Sequence, residues 1–130
     1  MKEEKRDLKK LREEDRKLRR LRFEIQTQLD NAVDAFMYAV ESEGLEFEKD
    51  AEDYFVDLFL NERTIEICVE GIKTEKRDPM ELLQLARVLA KRTVEIASES
   101  KEKIVLESHV KKAIESILEP KIWPFELKAK

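Results

Sequence analysis

From Lys2 to Glu43 the chain contains neither glycine nor proline, and helix-forming residues dominate the first 27 positions. A run of that length without a breaker constrains the fold more than any other feature. Leu8, Leu11, Leu18, Leu21 and Ile25 recur at three- and four-residue steps, interrupted by Asp15, and Leu29, Ala32, Val33, Phe36 and Val40 continue the stripe. One helix from about residue 7 to residue 43 is predicted, on the order of 55 Å long at 1.5 Å per residue. Its first part is too narrow in apolar width to be covered by a small body. Pairing with another copy as a short coiled coil is therefore expected, which makes Leu11, Leu18, Leu21 and Ile25 candidate partner contacts.

The rest of the chain is as poorly punctuated, with two glycines and three prolines in 130 residues. The fold class predicted is all-α, organised as a helical arm over residues 1–28, a helical body over 29–118 and an extended tail over 119–130. Four body helices are expected at roughly 29–43, 51–70, 79–99 and 107–118. Gly44 stands where a C-cap belongs, Asp50 is the expected N-cap of the second helix, and LEFEKD reads as a connector. Ile104-Val105-Leu106 is a short β-prone run. No internal repeat is visible in the sequence.

Residues 78–117 read as helix, turn, helix, with Asp78 as N-cap and Pro79 at the first helical position. This stretch resembles the end of the helical lid subdomain of AAA+ ATPases, the replicative-helicase and origin-recognition types in particular, and more loosely the back half of a histone fold. The residues that carry the resemblance are Pro79, Arg87 on a Leu-rich face, the loop SESKEK, and Val105, Glu107, His109 and Val110. The ATPase itself is missing from the pattern: there is no GxxxxGK loop. Met80 stands where the family places a phosphate-sensing Arg, and Leu106 where its turn has Thr or Ser. The resemblance implies a lid-like or histone-like scaffold without nucleotide chemistry. In the lid-like register the matching helices are 51–70, 79–99 and 107–118. In the histone register they are 29–43, 51–76 and 79–90, the middle one serving as that fold's long helix. The lid-like register accounts for the VLESHV turn and is preferred.

Charge separates the chain into two parts. Residues 1–22 hold eleven Lys/Arg and six Asp/Glu, a net of +5 against −4 for the whole, which leaves −9 for the remainder. A basic arm on an acidic body fits a partner bearing phosphate, or an acidic protein surface. The stretch RKLRRLR at 16–22 carries five cations and no acid. The nucleic-acid-binding candidates are Arg12, Arg16, Lys17, Arg19, Arg20 and Arg22 on the arm, Lys76 and Arg77 in the loop before Pro79, and Lys103 and Lys111 around the last turn. Interleaved Glu13, Glu14 and Asp15 offer competing pairs along the helix.

Catalytic and metal chemistry find no constellation. The single His109 and single Cys68 cannot supply the four ligands a zinc site takes, and no Glu-x-x-His pair occurs because residue 106 is Leu. No enzyme activity, cofactor or metal is expected. One cysteine suits a reducing cytoplasm, no apolar run suits a membrane span, and abundant Lys, Arg and Glu beside scarce Asn and Gln suit a thermophile. The tail holds Ile122, Trp123, Phe125 and Leu127. It is expected to fold back on a core groove, with Trp123 and Phe125 as alternative partner contacts. The function expected is a non-enzymatic, sequence-nonspecific DNA- or RNA-associated protein that forms a homodimer or larger homo-oligomer; the alternative is an adaptor or assembly subunit using the arm and the IWPFEL tail.

Overall fold

A computed structural model describes residues 2–99, 101, 103–117 and 123–124, with side chains described from Leu8 onward. Among these the architecture is all-α with one minimal bridge of strands. In chain order it comprises α1 (Lys2–Glu41), β1 (Glu46–Phe47), α2 (Lys49–Leu60), α3 (Glu62–Lys73), α4 (Met80–Glu99), β2 (Ile104–Val105) and α5 (Glu107–Ile117). The long N-terminal helix is present and continuous: arm and first body helix are one element of 40 residues. No helix among the described residues is long and apolar enough to cross a membrane.

The core begins at Ile25. From there the α1 stripe packs mainly on α4, the largest helix–helix interface, while α4 supports α5 and α2 lies against both α1 and α5. An aromatic stack fixes the centre. The Phe36 and Phe55 rings lie 3.6 Å apart at 11°, Phe59 follows Phe55 at 4.7 Å, and Phe47 tilts against Phe36 at 5.6 Å. Burying three phenylalanines completely contributes roughly 2–3 kcal/mol each by area.

The single helix expected over 51–70 is two helices. Asn61 breaks it: its backbone is extended (φ −76°, ψ 155°), its Oδ1 accepts the Thr64 N–H at 2.8 Å, and its Nδ2 donates to the carbonyls of Asp57 and Leu58. One amide thus caps the end of α2 and the start of α3. Thr64 reinforces the corner by donating to the Leu58 carbonyl. The continuous segment 51–76 that the histone register requires is therefore absent. The cap expected at Asp50 is also displaced, since α2 starts at Lys49 and Glu48 precedes it without a side-chain cap. Asp78 does cap, accepting the Met80 N–H at 2.9 Å.

A duplication hidden from the sequence organises the body. Buried Ile25, Leu29, Ala32, Val33, Phe36 and Val40 of α1 have buried counterparts 57 positions later in α4: Leu82, Ala86, Leu89, Ala90, Thr93 and Ala97. After each helix comes a left-handed residue at the same spacing, Gly44 (φ 84°) and Lys101 (φ 57°). Their N–H groups donate to equivalent carbonyls, Glu41 at 3.0 Å and Ser98 at 3.1 Å. One residue is then inserted, and the spacing becomes 58. Glu46 pairs with Ile104 and Phe47 with Val105 in a parallel bridge, so it joins equivalent residues of the two units. The Glu48 carbonyl accepts from Ala51 and Glu52 as the Leu106 carbonyl does from His109 and Val110. The connector LEFEKD thus holds the strand Glu46–Phe47 of a helix–turn–strand–helix unit and the first residues of α2, and 104–106 opens the second half of its copy.

Candidate nucleic-acid interface on the N-terminal helix

Residues 8–20 of α1 are all exposed, and from Glu14 on the helix runs beside α3, where Asp15, Leu18 and Arg19 share a furrow with Glu66, Val69 and Glu70. At 3.6 residues per turn, Lys9, Arg12, Arg16, Arg20 and Phe23 fall within about 80° of one another around the axis. Glu13 stands about 20° beyond the edge of that sector and lines the same depression as Lys9, Arg12 and Arg16; Glu24 lies on that side too, Asp15 on the other, and Glu14 behind. Leu11 and Leu18 occupy the opposite sector, in line with Ile25 and the core. The arm is two-faced, with a cationic ridge away from the body and an apolar stripe along the body's side.

Not every cation of the sequence belongs to the ridge. Arg19 is held by Asp15 one turn back at 2.8 Å. Arg22 leans the other way and bonds Glu62 at 3.2 Å, with Glu66 at 3.9 Å, tying α1 to the start of α3. Lys17 lines a furrow at the base of the arm with Glu14, Leu18, Leu21 and Lys73. Arg77 pairs with Glu81 at 3.5 Å and lies 5.6 Å from the centre of the Trp123 ring, while Lys76 is exposed in the same loop. At the far corner Lys103 is exposed beside β2, and Lys111 pairs with Glu107 at 3.6 Å over the Tyr54 ring at 5.3 Å. The Tyr54 hydroxyl pKa is raised by burial and then by Glu107 and Glu115. The surroundings of Lys111 are therefore acidic. β1, which pairs with β2 beside Lys103, lies in a stretch that carries Glu46, Glu48, Asp50 and Glu52. The ten sequence-derived cations do not form one surface; Arg12, Arg16 and Arg20 do, and Lys9 joins them.

The candidate partner contacts divide as well. Leu11 is 60% exposed and Leu18 40%, with Leu8 beyond them at 57%. Leu21 is half-buried, packed on the core. Ile25 is 1% exposed inside its own chain's core and is not open to a partner. The reason is that α4 and α2 already occupy the stripe from Ile25 on. Trp123 is folded back and half-buried against Gly71 and Arg77, and Pro124 is fully buried. Ile122, Phe125 and Leu127 lie outside the described residues.

His109 and Cys68 have local explanations. His109 is buried, and its Nδ1 accepts the Leu106 N–H at 3.0 Å, an imidazole cap on α5. Cys68 is 0% exposed in α3, and burial pushes its thiol pKa up to about 12, which disfavours a nucleophilic thiolate. Among the described residues no group of three or more His, Cys, Asp or Glu could hold a metal ion.

Phe23 is the residue sequence reading overlooked. It is 68% exposed, on the ridge and off the apolar stripe. Its spacing of three from Arg20 and seven from Arg16 carried the signal, but only once the helix was known to be continuous through it. No family model, characterised protein or solved structure matches this chain.

Proposed function

We propose that this chain is a non-enzymatic, sequence-nonspecific nucleic-acid-associated protein, acting in a reducing cytoplasm, that tracks a phosphate backbone with its N-terminal helix. One observation carries the reading: Lys9, Arg12, Arg16 and Arg20 form a cationic ridge, with Glu13 at its border, on the N-terminal helix of an otherwise acidic chain. Successive cations at four-residue spacing rise about 6 Å along the axis, a row suited to repeated phosphates rather than to one anion. The acidic body repels phosphate and so confines attachment to the arm. For the scaffold, 78–117 resembles the end of an AAA+ lid subdomain and, more loosely, the back half of a histone fold, and α1–β1–α2 follows the same helix–turn–strand–helix order as α4–β2–α5.

The test is a titration of labelled nucleic acid at low salt with the intact chain and with Arg12→Gln/Arg16→Gln/Arg20→Gln. Binding abolished by the triple change supports the reading; binding that survives it places the contact elsewhere. Exposed Leu8 and Leu11 favour a second reading, an assembly subunit whose arm pairs with another copy or a partner protein. Light scattering on the chain with and without residues 1–20, a deletion that leaves Leu21 and Ile25 in the core, distinguishes it, because loss of a dimer on removal of the arm supports pairing.

A further inference from the structure

The ridge ends in an aromatic ring. Phe23 is 68% exposed, follows Arg20 by one turn on the same sector, and lies about 21 Å along the axis from Lys9. An apolar ring left in water at the end of a cation row serves no packing purpose in the described body. Beyond it the sector turns acidic at Asp30 and Asp34, so the row is bounded on that side.

Resting on the phosphate-tracking reading, we infer that the ridge takes single-stranded rather than duplex nucleic acid, with Phe23 stacking on an unpaired base. Two features select the single strand. First, the cationic sector is only about 80° wide, and Glu13 borders it. A helix lying in the major groove of a duplex meets phosphates on both flanks, which would press Glu13 and Asp15 against one strand or the other. A single strand meets one line of cations and can follow its Arg12 side, away from Glu13. Second, an exposed ring needs a free base face, which a strand outside a duplex offers at every nucleotide and a paired stack hides. Cationic rows combined with stacking aromatics are the general means of sequence-tolerant single-strand binding, with sites from about four nucleotides upward. The 21 Å ridge suits the short end of that range. The same chemistry is present in single-stranded DNA and RNA.

The experiment is fluorescence anisotropy of a labelled twelve-residue oligothymidine, the matching oligouridine, and a DNA hairpin of equal phosphate number, at several salt concentrations. The intact chain is expected to bind the single strands more tightly than the hairpin. Phe23→Ala is expected to weaken single-strand binding about tenfold while leaving hairpin binding and salt dependence unchanged, and Phe23→Tyr to restore it. Because Phe23 is exposed, a circular-dichroism melt of each variant should match the parent. Equal affinity for strand and hairpin, or indifference to Phe23→Ala, overturns the single-strand inference while the phosphate reading stands. Absence of binding to all three probes at low salt overturns both.

Discussion

Gly71 lies in the last turns of α3 with the Trp123 indole laid across it. A Cβ at position 71 would stand 2.9 Å from Nε1 and 3.1 Å from Cε2 of Trp123, and 3.2 Å from Cγ of Arg77. The first distance is inside van der Waals contact, so Gly71→Ala must move the ring. Two effects then oppose each other. Alanine in a helix interior gains about 1 kcal/mol over glycine. Fully removing a buried Trp costs about 3–5 kcal/mol, and Trp123 is only half-buried, so unseating it costs roughly 2 kcal/mol. The net is a loss of about 1 kcal/mol, or about 3–5 °C in Tm for a chain of this length. Trp123 is the only tryptophan, so its emission should shift to the red in the same variant. A double-mutant cycle makes the argument sharper. In a Trp123→Ala background the clash is gone and Gly71→Ala should stabilise the protein. If it has the same effect in both backgrounds and leaves the emission of the parent unchanged, the indole is not seated on Gly71.

Two further predictions follow from the duplicated turns and the buried thiol. Lys101 holds the left-handed conformation that glycine occupies at the equivalent Gly44, so Lys101→Gly should stabilise by about 0.5–1 kcal/mol after the added freedom of the unfolded chain is counted; an unaltered melting curve would contradict the turn geometry. Cys68 should resist a thiol reagent at pH 8 until denaturant is added. Its pKa in the fold is raised to about 12 from an ordinary 9.0, so the neutral thiol is the favoured native form. Its contribution to stability is complete below about pH 9 and declines as pH rises toward 12. Comparing the alkaline melts of the parent and Cys68→Ala isolates that loss, and superimposable pH dependences would refute it.

The all-α class and the long first helix were legible because they rest on periodicity and the absence of breakers, which need no tertiary context. Asp78 could be placed for the same reason, since a cap acts on its own helix. The break at Asn61 was not legible: LFLNERTIEI has no glycine or proline, and the corner depends on one amide bonding in both directions. The duplication was hidden because the two units share burial, not identity. Phe36 corresponds to Thr93, Leu29 to Ala86 and Ala51 to His109, large in one unit where the other is small or polar. The candidate interface was half legible. Charge counting found the arm, but only the continuous helix and its ion pairs sorted Arg12, Arg16 and Arg20 from Arg19 and Arg22, which are held by carboxylates. Ile25 was misplaced because a stripe shows no sign of where its own core begins.

The central claim is that the ridge cations contact phosphate, and its most direct measurement is the salt dependence of affinity for a single strand. Each phosphate contact contributes a slope of about −0.7 in log affinity against log salt. Four ridge cations predict a slope of about −3 for the intact chain, falling to about −1 when Arg12, Arg16 and Arg20 are changed to Gln. A slope that is the same in both proteins would contradict the account.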